Sequence, residues 1–464
     1  MSDPGVGPPL PSFAVATRVW LRIGLLSFGG PAGQIALMHR ELVDDRRWIS
    51  DARFLHALNF CTLLPGPEAM QLATYIGWLL HGVPGGLVAG ILFVLPGALV
   101  MLVLSLIYAL LGAVPVVSAI FFGLKCAVLV LVVEALLRVA KRALKSREAY
   151  ALAVVAFLAL FAFAVPFPVV VLITALVGYW RSETFRGGGH GTAKAGPVAA
   201  LDVLLAADPG RPAMLAASAW RAGWITVALW LIPLAALMAT RDGLLIATRY
   251  GALAITMQAG VFADVAWFFS KMAVVTFGGA YAVLAYVAQE AVENYRWLSA
   301  EQMLTGLGLA ETTPGPLILV LQFVGFHAGL GAEFDLTSAV IASAITLWMT
   351  FMPCFAWIFL GAPYIERLQN APRLQSALAG VTAGVVGVIA NLALWFGLHV
   401  LFSDTRAFRA GPIALDVPVL ASLDMLALIL AVVAALALFQ FKRGVITTLG
   451  VTSGVGLALK FALG

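Results

Sequence analysis

The chain has 464 residues, 62% of them hydrophobic and only 11% charged, and a mean hydropathy of +0.99. Soluble domains carry about 25% charged and about 45–50% apolar residues, so this is no soluble globular chain. The net charge of +5 calls for no nucleic acid, because the basic residues sit mostly in short loops between apolar runs, where such residues fix the topology of membrane helices.

Gly86–Leu111 and Val114–Val133, the latter broken only by Lys125, approach or exceed the roughly 20 residues that cross a bilayer. Barrel-type alternation is absent, and lipid permits only helices and closed barrels. The expected fold is therefore an all-α polytopic membrane protein. Met1–Ser12 is polar and proline-rich, without the cationic start and apolar core of a cleaved signal peptide. Cys61, Cys126 and Cys354 have no metal-type spacing and read as small core hydrophobes.

In chain order, the first half reads as six elements. Pro11–His39 is an apolar helix broken near Gly29-Gly30-Pro31. Asp51–Leu64 is amphipathic and continues after Pro65-Gly66-Pro67 as Glu68–His81. Gly86–Leu111, Val114–Arg138, Ala149–Val165 and Phe167–Trp180 follow. The hydrophilic stretch Arg181–Arg211, with Gly187-Gly188-Gly189, reads as a flexible linker. Trp220–Thr240 is one further apolar helix. From about Gly260 the pattern restarts, and its later members are Thr337–Pro363, Pro372–His399, Pro418–Phe441 and Gly444–Leu463.

The restart is a duplication. Phe28-Gly29-Gly30 and Pro65-Gly66-Pro67 recur as Phe277-Gly278-Gly279 and Pro314-Gly315-Pro316, all at the offset of 249 that separates Phe28 from Phe277. No gap is needed between them: Glu41 meets Glu290, Arg47-Trp48 meets Arg296-Trp297 and Ser50 meets Ser299. An insertion of eight residues then aligns Pro96 with Pro353, Pro115 with Pro372 and Gly123 with Gly380. The expected organisation is a first repeat over 1–181, a cytoplasmic linker over 182–218, a connecting transmembrane helix over 219–245 and a second repeat over 246–464. Six elements per half plus the connecting helix give about 13 crossings, so an odd count inverts the second half, with the broken helices at the repeat interface. Charge placement agrees: the loop Lys141–Arg147 and the linker are basic, whereas the first loop's partner, Leu401–Pro418, is mixed with Asp404 and Asp416. Lys442-Arg443 is basic where its first-half partner, around Pro166, has no charge. The basic loops and the N-terminus are placed in the cytoplasm.

Inverted repeats with interrupted helices point to a secondary transporter. Each break starts a helix whose first N–H groups bind anions; the alternative is that each is only a packing kink. Gly29, Gly30, Pro65, Gly66, Gly278, Gly279 and Gly315 are therefore candidates for one central site. Arg22 and Lys271, paired by the same offset, each stand seven residues before a glycine pair, close to two helical turns, and so lie on about its face. A cation within a membrane helix is a functional candidate, although a long side chain also snorkels to the interface. Lys125 is a third such cation, with no carboxylate nearer along the chain than Glu134, which itself pairs with Arg138. Ser27, Asn59, Thr62, Thr276, Thr312 and Thr313 supply neutral hydrogen bonds. Glu68, Glu311 and His56 are candidates for coupling protons to transport. A membrane-embedded enzyme is disfavoured: Asp44-Asp45 lacks the second acidic cluster of a metal-diphosphate site. No cofactor or metal is expected. A passive channel is the remaining rival.

The runs Ser27-Phe28-Gly29-Gly30-Pro31, Arg47-Trp48-Ile49, Leu64-Pro65-Gly66-Pro67 and Leu95-Pro96-Gly97 resemble those of the chromate ion transporter family, in its long two-domain form. Thr276-Phe277-Gly278-Gly279, Arg296-Trp297-Leu298 and Thr313-Pro314-Gly315-Pro316 are similar too. The resemblance implies an inner-membrane protein that exports chromate, driven by the proton motive force, and confers chromate resistance. The residues alone imply an oxyanion transporter, for which sulfate, a tetrahedral dianion of similar size, is the alternative substrate. Ala280 replaces the proline that follows the first-half glycines, and Cys354 replaces Gly97, so the halves are not expected to contribute equally.

Overall fold

The computed structural model describes residues 9–183, 185, 199–208, 211–240, 252–277, 279–331, 334–364, 371–411 and 413–463. These form seventeen α-helices and one hairpin: α1 (Phe13–Leu26), α2 (Gly30–His39), α3 (Asp51–Cys61), α4 (Glu68–Leu111), α5 (Pro115–Ala143), α6 (Arg147–Phe161), α7 (Phe167–Trp180), α8 (Ala200–Ala207) and α9 (Arg211–Thr240). The second half supplies α10 (Ala252–Val275), α11 (Ala280–Ala288), α12 (Ala300–Thr312), α13 (Val320–Leu330), α14 (Leu336–Gly361), α15 (Pro372–Leu401), β1 (Thr405–Ala410), β2 (Ile413–Pro418), α16 (Met425–Ala435) and α17 (Val445–Leu463). Six of them, α4, α5, α9, α14, α15 and α17, are long and apolar enough to cross a bilayer. The chain is a polytopic helical membrane protein.

Helix α4, at 44 residues, would be about 66 Å long as a straight rod, twice the bilayer core. It is not straight. His81 and Gly82 leave helical geometry, Gly82 at φ 64°, so two expected helices, Glu68–His81 and Gly86–Leu111, run together across a kink. Its counterpart at the repeat offset, Gly331, has φ 54° and ends α13.

Two stretches depart from the sequence reading. The expected linker contains an ordered helix, α8, and α9 starts at Arg211 instead of Trp220. The α8 segment is held by backbone bonds from Ala200 and Leu201 to the carbonyls of Arg47 and Trp48, each 3.0 Å, and by an Arg53–Asp202 ion pair. The loop after α15 is an antiparallel hairpin with Thr405 opposite Pro418 and Ala410 opposite Ile413. Gly411, at φ 60°, supplies the left-handed residue that so tight a connection needs. Every residue of β1 is exposed, so no buried face advertised the strand.

The helices form two compact units. The first comprises Met1–Val100, Gly188–Thr276 and Thr313–Ala371; the second comprises Met101–Gly187, Phe277–Thr312 and Pro372–Gly464. In the first, α14 packs on α9, α10 and α13. In the second, α15 packs on α5, α6, α7 and α11. A Cβ at Gly387 would lie 2.1 Å from the Ala153 carbonyl oxygen, and one at Gly178 2.3 Å from that of Ser376, so these helices cross at backbone contact. Small residues at helix crossings hold membrane bundles by close packing where lipid supplies no hydrophobic drive.

Candidate functional site

The duplicated sequence produces a duplicated backbone. Arg40–Asp45 and Gln289–Asn294 are both π-helical turns. Arg47 and Arg296 both take left-handed φ, 52° and 54°, after which Trp48 N–H donates to Leu42 O and Trp297 N–H to Ala291 O, each at 2.8 Å. A non-glycine residue at positive φ is uncommon; its recurrence at one offset marks a constraint kept in both copies. The Ser27 and Thr276 hydroxyls donate to Ile23 O and Met272 O, each at 2.6 Å.

Within the first unit the breaks meet. Gly66 N–H donates to Thr276 O at 2.9 Å, and Gly315 N–H donates to Ser27 O at 2.8 Å. Each Pro-Gly-Pro glycine thus bonds the residue just before the other copy's Phe-Gly-Gly. These two N–H groups, offered by the sequence as anion donors, are engaged by the protein itself. Gln34 reinforces the knot, its Nε2 donating to Gly315 O at 2.5 Å and to Ser27 O at 3.5 Å. The backbones approach so closely that a Cβ at Gly97 would lie 2.0 Å from the Pro314 carbonyl oxygen. In the other copy Cys354 holds the position of Gly97, and its Sγ stands 2.9 Å from where a Cβ on Gly66 would be.

The remaining candidates are spread more widely. Lys271 is half-buried, with its ammonium 6.0 Å from the centroid of the Phe268 ring. Arg22 has a side chain 60% exposed, and its Nε lies 3.3 Å from the buried Glu41, which Arg46 also binds. Thr313 is buried, while Pro65, Asn59 and Glu68 are half-buried and His56 is exposed. Gly29, Gly30 and Gly279 have φ of 85°, 71° and 95°. Gly278 lies outside the described residues.

Glu311 belongs to the second unit, buried, and accepts a hydrogen bond from the Tyr281 hydroxyl. The Glu134–Arg138 ion pair expected along α5 is present. Lys125 departs from its reading: its Nζ lies 2.7 Å from Glu301 Oε1, a carboxylate distant in sequence.

The sequence reading passed over Tyr281, Glu41 and three buried glutamines, Gln34, Gln71 and Gln322. Gln71 Nε2 donates to Pro65 O at 2.7 Å and Gln322 Nε2 to Ala98 O at 3.0 Å. None of the three amide oxygens accepts a hydrogen bond from the described residues. A buried acceptor without a donor costs about 1–3 kcal/mol, so each marks a place for a hydrogen-bond donor near the breaks. The signal available was an uncharged amide inside an apolar run.

The sequence profile described as "Chromate transporter" matches residues 15–179 and 263–457. The chain is 32% identical over 383 residues to the chromate transport protein of Pseudomonas aeruginosa, covering 82% of this chain and 80% of that one. It is 27% identical over 414 residues to a probable chromate transport protein of Synechococcus elongatus, covering 88% and 90%. It is 26% identical over 379 residues to the chromate transport protein of Cupriavidus metallidurans, covering 81% and 80%. No solved structure matches it.

Proposed function

This chain belongs to the chromate transporter family, a family of transport proteins rather than enzymes, and on that premise we propose that it exports chromate across a bacterial inner membrane in exchange for protons, conferring chromate resistance. The observation that carries the mechanism is the reciprocal pair of bonds, Gly66 to Thr276 and Gly315 to Ser27. When each of two copies gives the same group to the same position of the other, a local two-fold axis relates them, as in an isologous interface. We place that axis in the membrane plane, where it makes the copies antiparallel: the inverted arrangement of repeats 1–181 and 246–464, joined by the linker 182–218 and the helix 219–245, with about 13 crossings.

The proposed anion site draws on the helix starts that follow the breaks, at Gly30, Glu68 and Leu317. Their summed dipoles favour negative charge, and Lys271 supplies a full positive one. Ser27, Pro65, Gly66, Thr276, Thr313 and Gly315 shape its walls, with Asn59 beside them. Arg22, the first-copy equivalent of Lys271, acts through Glu41. In the second copy, Gly279 caps the α11 start. Sulfate has the same shape and charge as chromate and is the test competitor.

Proton coupling is assigned to Glu311, with Glu68 and His56 as lesser candidates. A buried carboxylate carrying a tyrosine hydroxyl is a reversible proton site shielded from bulk water, and its repeat equivalent is Thr62, which does not ionise. Glu311→Gln is expected to flatten the pH dependence of transport while leaving chromate affinity within about twofold, a change under 0.5 kcal/mol. Transport rates of the variant between pH 5.5 and pH 8 check this; a wild-type pH profile would discard Glu311 as the coupling group.

A further inference from the structure

A second polar site lies in the second unit. The hairpin, α15, the end of α6 and the π-helical turn Gln289–Asn294 enclose a cavity of about 210 Å³ whose polar wall is Gln289, Glu293, Asn391, Trp395, Arg409 and Asp416. We propose that this cavity is a proton-exchange vestibule in which Glu293 takes up and releases the transported proton. A hydronium ion gives its proton to a Glu293 carboxylate oxygen and leaves as water; release is the reverse. The inference rests on the proton-coupled reading above and deepens it.

Two carboxylates, Glu293 and Asp416, stand on the polar wall of the cavity. Trp395 Nε1 donates to Glu293 Oε1 at 3.1 Å, fixing the carboxylate on α15. The facing charges are mixed: Asp416 from β2, Arg409 from β1, His399 from α15 and Glu290 from the same turn. Glu293 is exposed as a residue, and the partial desolvation of its carboxylate raises its pKa; the Trp395 hydrogen bond opposes this, Asp416 adds to it, His399 opposes and Glu290 adds. A glutamate poised above its ordinary range of about 4.3 exchanges protons closer to neutrality. π-Helical turns inside helices recur at functional sites, and the first copy also puts an acid at this position of its turn: Asp44 faces His39 Nδ1 at 3.3 Å. Helix α11 leads from this turn back to Tyr281, the partner of Glu311, over roughly 18 Å at 1.5 Å per residue. His399 Nδ1 faces the Trp395 carbonyl at 2.9 Å, and the two rings lie 4.3 Å apart, tilted by 36°, so the indole lies against both Glu293 and His399.

The test has two arms, both on the full chain. In detergent, the fluorescence difference between wild type and Trp395→Phe is followed from pH 4 to pH 8. It is expected to titrate with a midpoint above the ordinary glutamate range and to lose that step in Glu293→Gln. A difference signal independent of pH overturns the proposal. In vesicles, chromate transport driven by a proton gradient is compared with chromate counterflow at equal pH. Glu293→Gln is expected to lower the ratio of the two rates about tenfold, a barrier change of about 1.4 kcal/mol, and Glu293→Asp to recover part of it. A gradient-driven wild type matched by Glu293→Gln overturns the vestibule alone. A wild type indifferent to the gradient overturns proton coupling itself, and the vestibule's role with it.

Discussion

Gly97→Val is expected to abolish chromate transport and to lower unfolding stability by about 3 kcal/mol, the upper end of ordinary overpacking costs. The first atom added would sit 2.0 Å from the Pro314 carbonyl oxygen and 2.5 Å from Leu319 Cδ1. Leu319 can change rotamer, but the Pro314 carbonyl cannot withdraw. Gly315 beside it is tied to Ser27 through its N–H and to Gln34 through its carbonyl. Relieving the clash therefore breaks the reciprocal bond that joins the copies. Cys354→Ala is the matched control, since it shrinks the equivalent residue of the other copy and leaves Gly66 more room. Denaturant unfolding in detergent, read beside vesicle uptake, distinguishes the two variants. Equal stability and equal transport in both would mean that the crossover is not what holds the site.

Lys271→Ala is expected to weaken chromate binding by about 10- to 1000-fold. A unit charge about 4 Å from another at an effective dielectric near 20 contributes about 4 kcal/mol, and a dianion feels more; partial hydration of a half-buried ammonium brings the figure down. Arg22→Ala should differ. Its guanidinium is largely exposed and faces Glu41, so its removal leaves that buried carboxylate to Arg46 alone. Its effect falls on stability before affinity. Chromate binding measured calorimetrically on both variants checks this; unaltered affinity in Lys271→Ala would remove it from the site.

The repeat was legible because its chemistry is local. Positions that need a broken helix show glycine and proline in any sequence, and the 249-residue offset carried over to the π-turns and to the left-handed Arg47 and Arg296. What the breaks bond to was not legible. Helix-start N–H groups are unpaired within their own helix, so the sequence offered Gly66 and Gly315 to an anion, whereas a carbonyl more than 200 residues away takes each of them. Lys125 shows the same limit, since its partner Glu301 lies on α12 and no spacing along α5 reveals it. The hairpin went unseen because every residue of β1 is exposed, and the glutamines because an uncharged amide hardly perturbs an apolar run. The compact units also cut across the repeats, each drawing segments from both halves of the chain, which a linear duplication does not foretell.

The most direct test of the central claim is uptake of labelled chromate by vesicles reconstituted with the purified chain under an imposed pH gradient, with sulfate run in parallel. The account predicts chromate accumulation against its own gradient, dependent on the proton gradient and faster than that of sulfate. Chromate moving no faster than through protein-free vesicles would contradict it.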